Sequence, residues 1–247
     1  MTSFALKIIA LAAMVIDHAG DVFALSIPNS FLLRLVGRTA FPIYAFLIAE
    51  GCRRTKDIKK YMLRLGAFAL ISEIPFDLCF ENEKIFSARD VTFLSFSYQN
   101  IFFTLFLSVL AVYAWEYLKE TKYKIAGALA VLAAAGAAEL INADYGAKAI
   151  IFIFALYLAG ENKKARVLVM IAGAAAIYLP SLGYIGILFG HSYSVGLAAF
   201  LSASLSALPV FFYNGRRGPK LKYFFYAMYP LHLLALAAAH LLPALIT

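Results

Sequence analysis

Apolar stretches close to the ~20 residues that a helix needs to cross a bilayer recur along the whole chain. They fall at about 4–25, 31–49, 60–79, 98–118, 123–142, 146–160, 165–180, 192–213 and 221–245. Little length is left over, so a separate soluble domain is not expected. Hydrophobic residues make up 63% of the 247 positions, against roughly 45–50% in a soluble domain. The reading is an all-α, polytopic membrane helical bundle of about nine transmembrane helices, within a range of eight to ten. It forms a single domain over residues 1–247.

The formal charge of +8 does not point to nucleic acid, because the basic residues are not gathered on one segment. They occupy alternate connections: Arg53, Arg54, Lys56, Lys59 and Lys60; Lys119, Lys122 and Lys124; Lys163, Lys164 and Arg166; then Arg216, Arg217, Lys220 and Lys222. The connections at 21–30 and 181–191 have no Lys or Arg, and 80–97 offsets its two with acids. The positive-inside rule then places the N-terminus in the cytoplasm of a multi-pass protein of the cell inner membrane. Cys52 and Cys79 fall at opposite ends of the third stretch, too far apart for a disulfide, and no CxxC or HExxH metal motif is present.

Against this background the charged residues inside the apolar stretches stand out. Asp17 lies ten residues beyond Lys7, ~15 Å further along a helix at 1.5 Å per residue. Arg34 and Arg38, Glu73 and Asp77, and Asn100 and Thr104 are each spaced i, i+4, and each pair falls in the outer half of its span. The last stretch adds Tyr226, Tyr229 and His232, with Pro230 freeing a backbone carbonyl. A charge at mid-bilayer costs ~2.5–3.5 kcal/mol, so these side chains are expected to face one another around one site. Asp17 is expected to pair with His18 or an arginine, and Glu73 or Asp77 with Arg34 or Arg38. His18 has an imidazole able to act as a general base, with a nearby carboxylate orienting it. Neighbouring helical residues point about 100° apart, so that carboxylate can come from the third stretch instead of Asp17.

"LKIIALAAMVIDHAG", "GRTAFPIYAFLIAEGCRRTKDIKKYMLRLGAFALISEIPFDL", "NIFFTL" and "KYFFYAMYPLHLL" resemble, in order, the characteristic blocks of TraX-like proteins. These are named for a conjugal-transfer protein that acetylates the N-terminus of pilin, and are distant relatives of integral-membrane acyltransferases. The resemblance implies acetyl transfer from cytoplasmic acetyl-CoA to an amine or hydroxyl of an envelope protein or glycan acceptor. Carried over by position, it implies His18 as the catalytic base, with Asp17, Arg38, Glu73 and His232 in support. The basic cluster Arg53, Arg54, Lys56 and Lys60 suits the phosphates of acyl-CoA, and it also serves the positive-inside signal. The rival reading is a proton-coupled membrane transporter, since buried Asp, His and Glu also build proton relays. No inverted repeat supports it. A third is an assembly factor whose polar cluster only holds helices together.

Overall fold

The computed structural model describes residues 1–80, 98–119, 123–179 and 192–246, and the 80–97 and 181–191 connections named above lie otherwise outside the described residues. Those described form helices joined by turns and short loops, with no strand among them. The helices are α1 (Ser3–Val22), α2 (Ser30–Gly37), α3 (Ala40–Arg54), α4 (Ile58–Phe80), α5 (Ile101–Leu118) and α6 (Lys124–Leu140). They continue with α7 (Gly146–Ala159), α8 (Lys163–Tyr178), α9 (Ser192–Leu205), α10 (Ala207–Phe211) and α11 (Lys222–Ile246). Side-chain caps start several of them. Thr2, Asn100 and Asn162 accept the N–H groups of Ala5, Phe102 and Ala165, satisfying donors that a helix start leaves unpaired.

Among the described residues four segments are long and apolar enough to cross a membrane: Ser3–Val22, Ser30–Arg54, Ile101–Leu118 and Tyr223–Leu241. That is fewer than the nine expected from hydropathy alone, and the reasons are physical. α4 has 23 residues but carries Lys59, Lys60, Arg64, Glu73 and Asp77. α7 has 14 residues, about 21 Å of helix against a hydrocarbon core of ~30 Å. The second apolar stretch counts as one crossing segment but is interrupted within it, since α2 ends at Gly37 and α3 resumes at Ala40, with Arg38 and Thr39 between.

α3 is the central element. Phe41, Ile43, Ala45, Phe46, Ala49 and most of its other residues are buried, as required of a helix that is apolar all round. The remaining helices close around it through successive contacts: α1 with α11, α11 with α4, α4 with α5, α5 with α7, α7 with α8, α8 with α9, α9 with α2, and α2 back to α1. α6 packs outside, on α5 and α7. The outer surfaces are apolar, with Leu63 and Leu70 on α4, Leu129 and Leu132 on α6, Leu168 on α8 and Leu231 on α11 all exposed. In water such a surface would aggregate, and in a bilayer it is the solvent-matched face.

Small residues bring α1 and α2 close. A Cβ on Gly37 would lie 2.1 Å from the Cβ of Asp17, and one on Gly20 would lie 2.8 Å from that of Leu33. Backbone approach at glycines is how membrane helices gain packing without a hydrophobic driving force. Here it sets Asp17 against the end of α2. Cys52 and Cys79 are both buried free thiols.

Candidate functional site

Between α3 and the neighbouring α1, α4, α5 and α11 lies a cavity of about 750 Å³. At one end its wall is basic: Lys7, Arg54, Lys56, Lys60, Arg64 and Arg217. Toward the other end it is lined by Asp17, His18, Asp144, Tyr145 and Tyr229. α1 contributes to both, with Lys7 at the basic mouth and His18 three turns along.

The imidazole of His18 is held by another imidazole instead of the expected carboxylate. Its Nδ1 lies 2.8 Å from Nε2 of His232 on α11, and Nδ1 of His232 lies 2.8 Å from the Met228 carbonyl. The carbonyl can only accept, so His232 Nδ1 carries the proton. In neutral His232 the Nε2 lone pair then accepts from His18 Nδ1–H, which leaves Nε2 of His18 with its lone pair, as a base requires. Phe80 and Tyr229 pack edge-on against the His18 ring, at centroid distances of 5.2 and 6.3 Å.

Asp17 points elsewhere. It accepts from Arg38 at 3.0 Å, with Arg34 at 3.5 Å, while Arg34 also pairs with Asp21. The arginine pair on α2 therefore answers the two acids of α1, where pairing with Glu73 or Asp77 of α4 was expected. Gly37 explains the choice, since its contact with Asp17 places α2 directly on α1. Glu73 is buried, accepts from the side-chain amide of Asn100, and is not part of the cavity wall. Arg38 also lies outside the wall, its guanidinium over the Tyr178 ring at 5.9 Å.

The basic segment divides as well. Arg54, Lys56 and Lys60 line the mouth, but Arg53 turns away from it. Arg53 donates to Glu50 at 2.6 Å and to the carbonyls of Leu156 and Tyr157 at 3.0 Å each. Glu50, buried on α3, also pairs with Arg54 and lies 4.0 Å from the buried Arg166 of α8. Arg53 is thus a tie between α3 and α7.

Of the wall residues not proposed for the site from sequence, Arg64 and Asp144 bear most on its chemistry. Arg64 follows Lys60 by one turn on the same face of α4, a spacing that was available to find it. Asp144 sits in the turn from α6 to α7, where burial pushes its carboxyl up to about 6, against the lowering influence of the Tyr98 hydrogen bond and Arg38. Among the described residues no group of His, Cys, Asp and Glu is placed to hold a metal ion.

The family model described as TraX protein matches residues 3–239. The chain is 29% identical over 243 residues to the probable fimbrial assembly protein FimC, serogroup H1, of Dichelobacter nodosus, covering 96% of this chain and 95% of that protein. No solved structure matches it.

Proposed function

The chain belongs to the TraX family, and on that premise we propose that it is an integral-membrane acyltransferase, moving acetyl from cytoplasmic acetyl-CoA to an amine or hydroxyl of an envelope protein or glycan. We place it as a multi-pass protein of the inner membrane with its N-terminus in the cytoplasm. The observation that carries the reading is the cavity, which joins a cationic mouth to the free Nε2 of His18. The diphosphate and 3′-phosphate of the donor match the mouth's lysines and arginines, and its narrow pantetheine arm runs inward past Tyr44 and Ile48 of α3. At the inner end His18 takes the proton of the attacking N–H or O–H as that atom bonds to the thioester carbon. The C–S bond then breaks, and the proton passes to the departing thiolate.

Binding of acetyl-CoA by the purified protein tests the reading. Lys60→Gln with Arg64→Gln should weaken it roughly 10- to 100-fold, the loss of one or more charge-assisted hydrogen bonds. Lys163→Gln with Lys164→Gln, on the same side but outside the cavity wall, should leave it within about twofold. Equal loss in both pairs would return the mouth to a topogenic role.

For orientation, Ser26→Cys should react with a membrane-impermeant maleimide in intact cells and Glu161→Cys should not. Both positions are exposed, and the native thiols are buried. The opposite pattern would invert the topology.

A further inference from the structure

The inner end of the cavity holds two carboxylates, and they are not in the same condition. Asp17 is committed to Arg38 and Arg34. Asp144 is held mainly through its backbone. Its N–H donates to the Gln99 carbonyl at 3.0 Å, while the Gln99 N–H donates to the Asn142 carbonyl at 3.0 Å. The Thr104 hydroxyl donates to the Asp144 carbonyl at 2.5 Å. The next residue, Tyr145, adopts φ 62°, a left-handed conformation that is strained for a non-glycine residue. Its ring is clamped on Phe41, with centroids 4.0 Å apart and planes 9° from parallel. Two segments distant in sequence are thus joined, and a strained residue is retained, to fix one carboxyl group against the cavity. The carboxylate itself accepts from the Tyr98 hydroxyl at 2.7 Å and from the Tyr145 N–H. A carboxylate offers about four lone-pair positions, so capacity remains for a donor arriving in the cavity.

We propose that Asp144 is the acceptor-binding carboxylate of a site for primary amines, accepting a hydrogen bond from one N–H of the attacking nitrogen while His18 withdraws a proton from the other. This rests on the acyl-transfer reading above. Asp144 makes and breaks no covalent bond. It receives an acceptor group that donates hydrogen bonds, and it lies at the opposite end of the cavity from the phosphate-binding mouth. Its loss is therefore expected in acceptor affinity, with donor affinity unchanged.

The experiment uses the full chain in lipid nanodiscs with acetyl-CoA and two small probes of equal shape, glycinamide as amine and glycolamide as hydroxyl. Glycolamide, whose hydroxyl has a single hydrogen to share between the two residues, should be the poorer substrate, and glycinamide, with an N–H for each, should be preferred. For glycinamide Asp144→Asn should raise KM about 10- to 100-fold, because a neutral amide oxygen replaces a charged acceptor, and the dissociation constant for acetyl-CoA should stay within about twofold. Asp144→Glu should recover part of the loss and Asp144→Ala none. An unchanged probe KM in Asp144→Asn overturns the assignment, as does a loss of acetyl-CoA binding equal to the loss in KM, which would mark a structural role. A wild type that binds acetyl-CoA but does not prefer glycinamide to glycolamide also overturns it, because a site that needs one hydrogen for Asp144 and another for His18 must favour the amine. A wild type that does not bind acetyl-CoA at all overturns the acyl-transfer reading instead.

Discussion

Replacing His18 with Gln should cost about 10²- to 10⁴-fold in turnover, the usual contribution of a general base, with acetyl-CoA binding unchanged. Gln keeps polarity and approximate size, and its amide can still donate toward Nε2 of His232, 2.8 Å from the ring nitrogen it replaces. What it cannot do is take up a proton near neutral pH. His232 provides the accompanying test, since it acts only through His18. His232→Gln retains a carbonyl oxygen able to accept from His18 Nδ1–H and should keep most of the activity. His232→Phe fills the space, removes the acceptor and frees the other tautomer of His18, and should lose roughly tenfold or more. Steady-state turnover in nanodiscs reads both. Near-normal turnover in His18→Gln would make the histidine pair a structural contact between α1 and α11.

The largest effect on stability is expected at Glu50. Its carboxylate is almost fully buried and faces Arg53, Arg54 and Arg166, of which Arg166 is itself buried. Glu50→Gln leaves those cations without their counter-charge, a change that costs about 3–5 kcal/mol when one partner of a buried pair is removed. In a chain of this size that corresponds to roughly 6–20 °C in melting temperature. Replacing the whole arrangement should cost less than breaking it, so Glu50→Gln combined with Arg166→Met should regain part of the loss. Thermal unfolding in detergent measures both variants. A single variant that melts with the wild type would show that the arginines are satisfied by carbonyls such as those of Gly160, Leu156 and Tyr157.

Which residues are exceptional was legible in the sequence, as was an arginine as one of two partners for Asp17, while the other pairings were not. Asp17, His18, Arg34, Arg38 and His232 announce themselves because a polar side chain in an apolar run has to be compensated somewhere. Periodicity says nothing of which helices meet, however. A carboxylate from the third stretch was as good a partner for His18 as any, until Gly37 brought α2 onto Asp17 and α11 brought His232 to His18. Adjacent positions diverge for the same reason. Arg53 and Arg54 belong to one basic run, yet about 100° of helix rotation sends the first to the α7 carbonyls and the second to the cavity. Asp144 was beyond sequence reasoning because Asp-Tyr-Gly reads as an ordinary turn. Its meaning lies in the Gln99 pairing and the stacked Tyr145, both made with segments far away in the chain.

The two imidazoles are 214 positions apart, on the first and last helices. Asp17, by contrast, meets Arg38 after only 21. During synthesis, then, the costly charge on the first helix is neutralised as soon as its neighbour emerges, and the nascent chain can be released into lipid without waiting. His18 gains its partner only after α11 has been made. On the acyl-transfer reading proposed above, a product that stops before α11 would insert with Asp17 already neutralised but with His18 lacking its partner and the cavity lacking one wall, so it would not consume acetyl-CoA.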